Sequence, residues 1–142
     1  MAHRHRPFYN LDKSVGPQQP NIVDDVMLVQ FFLSEESKQH TIFQWDKPSE
    51  PLLVDGQKSD LLFRWILSFQ VAIKAQGSPV SADGIVDPAT GSATQRSSHT
   101  HTTYTIVFLN NLFESMFPER FPDLRKDPTV PGLLRAALQR SV

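Results

Sequence analysis

The sequence predicts a mainly α protein: a compact three-helix orthogonal bundle with two Asp-Gly turns, an extended N-terminal arm and an irregular Pro-rich C-terminal tail ending in a short helix. Three observations carry this expectation. Apolar residues recur at helical period in three separate stretches. The middle stretch is bracketed by Asp55-Gly56 and Asp83-Gly84, both strong turn signals. Prolines at 7, 17 and 20 and again at 118, 122, 128 and 131 keep the two ends out of long helices. The chain therefore divides into an arm over 1–20, a domain over 21–117 and a tail over 118–142, with at most a tiny sheet at the turns.

The middle helix, about 59–76, is the most strongly patterned. Leu62, Trp65, Ile66, Phe69 and Ile73 fall on one side, and Leu61, Phe63 and Leu67 widen the stripe. Ser59 or Asp60 can cap its start, Lys74 suits the negative end of its dipole, and Gly77 can close it. It is expected to be the centre of the core. An earlier helix over 21–38 starts at Asn21 as N-cap, places Asp24 and Asp25 in its first turn, and buries Val26, Val29, Phe32 and Leu33. A loop over 39–51 follows, with Phe43 and Trp45 inside it. A third helix, about Thr103 to Met116, presents Tyr104, Val107, Phe108, Leu112 and Phe113. Residues 118–131 read as irregular, and a last helix runs from Pro131 to Arg140 with Leu133, Leu134, Ala137 and Leu138. In the arm, Phe8, Tyr9, Leu11 and Val15 can lie along the body.

Composition narrows the function classes. A formal charge of −1 offers no overall attraction to nucleic acid or to an anionic membrane. Zero cysteines exclude disulfides, thiolate metal sites and a cysteine nucleophile. No apolar run approaches the ~20 residues that span a bilayer, so no membrane insertion is expected. The basic N-terminus lacks an apolar stretch behind it and is no secretory signal. The expected location is cytoplasmic as synthesised, with any delivery to periplasm or cell wall by a non-Sec route. His3 and His5, and His99 and His101, form two H-x-H pairs, but no carboxylate stands at E-x-x-H spacing to complete a zinc site, so no metal is assigned. G-x-S-x-G, glycine-rich phosphate loops and H-E-x-x-H are all missing, and the adjacent acidic pairs 24–25 and 35–36 diverge around a helix. The protein is therefore expected to be noncatalytic and to need no cofactor.

Taken in order, the motifs resemble the peptidoglycan-binding-domain family. Its pattern is a first helix with V-x-x-[VL]-Q-x-x-L, a V-D-G turn, a helix ending F-Q, D-G-x-V-x-P-x-T, and a closing helix with L-N. Here these are Val26 to Leu33 with Gln30 in place, Val54-Asp55-Gly56, Phe69-Gln70, Asp83-Gly84-Ile85-Val86-Asp87-Pro88-Ala89-Thr90, and Leu109-Asn110. The likeness covers about 21–113. The chain departs from it at Ser59 and Leu62, where the family usually has Gly and Thr, and in its longer loops 39–51 and 91–103. The resemblance implies a three-helix fold with an internal pseudo-repeat and a noncatalytic module that holds peptidoglycan or a muropeptide. A free-standing copy of such a module without a secretory signal is expected to be an accessory of a bacterial secretion or phage-like puncturing apparatus, or a cytoplasmic protein that reuses the fold. Contact candidates under this reading are Trp45, Arg64, Gln70, Gln76, Arg96 and Tyr104, with Asp55, Gly56, Asp83 and Gly84 as structural turns. The rival expectation is a protein-interaction adaptor or immunity-type protein on the same fold, docking through the arm, the 39–51 loop and the tail.

Overall fold

Helix α1, Val23–Glu36, is apolar nearly all round, and it is the element the others surround. Every residue from Asp25 to Leu33 is buried, Val29 and Phe32 completely. A helix with no polar face cannot lie at a surface. The computed structural model describes residues 7–38, 45–90 and 104–140. Within them the protein is mainly helical: α2 is Asp60–Ala75, α3 is Thr105–Met116 and α4 is Gly132–Arg140. A 3₁₀ segment, Phe121–Lys126, kinked at Asp123, precedes α4. α1 packs against α2, α3 and α4. It is thus α1, and not the middle helix, that is central. The middle helix keeps an outer face of Arg64, Leu67, Val71 and Lys74 in solvent.

The helix ends follow local chemistry. Ser59 caps α2, its hydroxyl accepting the Leu62 amide at 3.0 Å, and this resolves the choice between Ser59 and Asp60. Asn21 does not cap α1; Ile22 occupies that position with no side-chain cap. Asn21 instead has φ 49°, and its amide turns back to bond Gly16 at both the N–H and the carbonyl. A short polar side chain that bonds its own neighbourhood is what makes this left-handed conformation tolerable.

Each Asp-Gly turn is held from inside the protein by a buried glutamine. Gln30 in α1 accepts the amides of Asp55 and Gly56 at 3.0 and 2.9 Å and donates to Asp55 Oδ1 and the Gln57 carbonyl. Gln70 in α2 accepts the Gly84 amide at 2.8 Å and donates to the Ile85 carbonyl at 2.9 Å and Thr105 Oγ1 at 3.0 Å. Within each turn the aspartate carboxylate accepts the amide two residues on, Gln57 or Ile85. A third amide repeats the device: Asn110 in α3 accepts the Tyr9 amide at 2.9 Å and donates to the Tyr9 carbonyl at 3.0 Å. Gly56 and Gly84 lie at φ 75° and 77°, a region where a Cβ is strained.

Arm and tail share the core with the helices. Tyr9, Leu11 and Val15 are buried in one cluster with Phe121, Leu124, Val130, Leu134 and Leu138. The Tyr9 hydroxyl donates to the Phe121 carbonyl at 2.6 Å. Val15 pairs with Val86 in an isolated antiparallel bridge, so the sheet-like contact joins the arm to the second turn. Arg120 staples the segment after α3: it bonds Glu35 at 2.9 Å and Asp127 at 2.8 Å, and its guanidinium lies 4.7 Å from the centre of the Phe117 ring. Residues 121–126, read from sequence as irregular because of their prolines, form 3₁₀ turns, with Phe121 and Leu124 supplying the buried contacts. In α3 the inward stripe is Ile106, Val107, Leu109 and Phe113, and Phe108 is only half-buried.

Glu36, at the last turn of α1, is fully buried, and among the described residues neither carboxylate oxygen has a hydrogen-bond partner. Burial alone pushes its pKa well above the usual carboxylate range. Below the ordinary pKa, folded and unfolded chains both hold the proton. As pH rises past it, the unfolded chain releases the proton first, so stability falls towards the raised folded pKa. Glu36→Gln should therefore leave stability little changed near pH 4 and raise it increasingly at pH 6 to 8 in urea titrations. An equal gain at every pH would count against a raised pKa at Glu36.

The glycine turns yield a second expectation. A Cβ on Gly84 meets only Pro17 at 3.9 Å, so Gly84→Ala should cost the left-handed strain alone, roughly 1–2 kcal/mol. A Cβ on Gly56 would stand 2.7 Å from Val23 Cγ1, so Gly56→Ala should cost more. Chemical unfolding of the two variants checks both the sign and the order.

Candidate functional site

α2 has one face spent on the core and the second turn, and two clefts open on either side of what remains. The first is a groove of about 640 Å³ lined by Trp45, Asp46, Arg64, Leu67, Ser68, Val71, Ala72 and Ala75. Trp45 forms its wall. The indole stands edge-on to Trp65 at 5.5 Å and to Phe69 at 5.2 Å, and its Nε1 donates to Ser68 Oγ at 3.0 Å. Ser68 in turn donates to the Trp65 carbonyl, which fixes the hydroxyl as an acceptor for the indole. Arg64 sits at the rim, half-exposed, 3.4 Å from Glu50 and 3.6 Å from Asp60. Such exposed pairs are weak, so the guanidinium can exchange partners.

The second cleft, about 230 Å³, lies between the C-terminal part of α2 and the outer side of α3. Phe69, Ile73, Phe108 and Leu112 give it apolar surface, and Gln76, Ser78, Asn111 and Ser115 give it amide and hydroxyl groups. None of the lining side chains is ionised at neutral pH. Asn111 and Ser115 are one turn apart on α3, which places both on the same side of the helix.

Comparison with known proteins finds no matching family model, no matching curated protein and no matching solved structure. The clefts must be judged on their own chemistry.

The residues singled out from sequence are scattered. Trp45 and Arg64 meet in the first groove, and Gln76 lines the second cleft. Tyr104 is elsewhere: its hydroxyl pairs with Thr90 Oγ1 at 2.9 Å, tying the start of α3 to the segment after the second turn. Gln70 is fully buried and cannot touch a ligand; its amide is engaged by Gly84, Ile85 and Thr105. Arg96, Phe43 and both H-x-H pairs lie outside the described residues. Among the described residues, no cluster of three or more His, Asp or Glu side chains could hold a metal ion, and no helix is long and apolar enough to cross a membrane.

Sequence reasoning missed Ser78, Asn111 and Ser115. The polar face of α3 was legible at helical spacing, but nothing in the sequence says which polar residues border a neighbouring helix. Electrostatically, the turns are more distinctive than the clefts. The Gln57 amide and the Gln30 side chain hold the Asp55 carboxyl below its ordinary pKa, although slight burial opposes them.

Gln70 gives a direct check on its structural role. Gln70→Leu keeps the bulk but leaves the buried Gly84 amide without its acceptor, at a cost of roughly 1–3 kcal/mol. Denaturant titration should show that loss. Unchanged stability would mean that the turn amides are satisfied in some other way.

Proposed function

We propose that this protein is a noncatalytic peptidoglycan-binding module, on a three-helix fold of the peptidoglycan-binding-domain kind, that takes a sugar or peptide unit of the wall in the cleft between α2 and α3. The observation that carries the reading is the make-up of that cleft: neutral amides and hydroxyls around aromatic and aliphatic surface, with no charge among them. An N-acetyl sugar presents the same mixture, with C–H faces, a methyl, an amide and hydroxyls. The cleft is smaller than the ~300–1,000 Å³ of sites that enclose a drug-sized ligand, so it suits one unit of a polymer whose remainder stays in solvent. The three motif amides, Gln30, Gln70 and Asn110, support the same reading, because each is placed to hold a turn or the arm. An accessory role beside a bacterial secretion or puncturing apparatus fits a module that holds the wall without cutting it.

A shallow cleft buries few contacts against the freedom lost on association. Affinity is expected to be micromolar or weaker for a free muropeptide, and higher on the polymer where avidity helps. The test is co-sedimentation with purified sacculi at low and moderate salt, with analysis of soluble muropeptides. Protein should pellet at both salt concentrations, since no charge lines the cleft. Asn111→Ala and Gln76→Ala should reduce pelleting without changing the melting temperature. Absence of protein from both pellets removes the wall-binding reading and favours the protein-docking one. Release of muropeptides would reveal an active site.

A further inference from the structure

We propose that the outer face of α2 is a self-association surface on which two copies of this chain pair antiparallel about Leu67. The inference rests on α2 alone and is independent of the wall-binding reading. Asp60, Arg64, Leu67, Val71 and Lys74 alternate at spacings of four and three, so they form one stripe along α2 opposite its buried side. All five are exposed; Leu67 and Val71, at 41% and 53%, are large apolar residues one turn apart in the middle of the stripe. Beside them Ser68, Ala72 and Ala75 are small, which leaves room for side chains from a second helix.

The charges select the occupant and its direction. Asp60 lies seven residues before Leu67, and Lys74 lies seven after it. In a helix each is about 10 Å from the centre, at 1.5 Å per residue. A second α2 laid antiparallel with Leu67 against Leu67 therefore brings Asp60 of each copy to Lys74 of the other, at both ends. A parallel pair would place like charges together. The same arrangement opposes the two helix dipoles head to tail. Among the described residues Arg64 is held by long contacts to Glu50 and Asp60, and it can turn aside to let the helices approach. A two-fold axis through Leu67 makes the stripe complementary to itself, as an isologous dimer requires.

The test is sedimentation velocity of the full chain across a concentration series in low-salt buffer, without any wall material. A concentration-dependent dimer is expected. Leu67→Glu should weaken it at least tenfold, because it sets two carboxylates at the apolar centre. Asp60→Lys and Lys74→Asp should each weaken it roughly 3- to 10-fold, and the double reversal should restore it, since both cross-pairs are re-formed with opposite sign. All of these positions are exposed, so each variant is expected to fold, and melting curves check this. A monomer at every concentration, or a dimer indifferent to Leu67→Glu, overturns the proposal. A dimer sensitive to Leu67→Glu but with no rescue in the double reversal overturns the antiparallel register.

Discussion

A side-chain carboxamide accepts and donates at once, and when buried it must do both. Gln30, Gln70 and Asn110 meet that demand by gripping backbone: the first turn, the second turn and the N-terminal arm. Each follows a fully buried apolar residue, Val29, Phe69 or Leu109, so the motif pairs V-Q, F-Q and L-N have a common physical meaning. One residue anchors the helix in the core, and the next reaches across to a segment with no regular hydrogen bonding of its own. Without such a partner, a tight turn against the core would leave buried amides unsatisfied. The three helices, the two Asp-Gly turns and the N-terminal arm are therefore one hydrogen-bonded unit.

This also explains what could and could not be read from the sequence. Helix positions were legible because apolar spacing reports directly on a buried side. The Asp-Gly pairs were legible because few residues other than glycine accept φ near 75°. The partners of those turns were not legible. A glutamine inside a helical pattern looks like surface, and only the approach of a distant turn makes it core. That is why Gln70 stood among the contact candidates while it is wholly buried. Arg120 escaped notice for the same reason: its partners Glu35, Asp127 and Phe117 come from separate stretches of the chain. Of the candidate site, Trp45, Arg64 and Gln76 were found as residues, but their division between two clefts depends on how α2 and α3 meet.

The central place of α1 has a reason rooted in composition. α2 has the clearer amphipathic pattern, and a clear pattern marks a helix with one wet side. α1 has apolar residues all round, hence a weak pattern and a deeper position. Its two ends show what that depth costs. Asp25 is buried but accepts the amides of Asp12 and Lys13, both at 3.0 Å, so the arm satisfies it. Glu36 has no such partner among the described residues, and burial raises its pKa. The arm thus does for one end of α1 what no described residue does for the other.

α2 carries two kinds of residue that meet different physical demands. Its inner face holds Phe69 and Gln70, where any change opens the core or unpairs the second turn. Its outer face holds Asp60, Arg64, Leu67, Val71 and Lys74, all exposed to solvent. Leu67 and Val71 stand exposed at the middle of that face, with opposite charges at its ends. The cleft against α3 is different in kind: its polar groups are uncharged, and its apolar surface is the edge of the core itself. A surface with charge and exposed aliphatics suits another helix, whereas a neutral notch suits a sugar or a peptide amide. The two faces of α2 use different side chains, so the two proposed interactions would not compete for them.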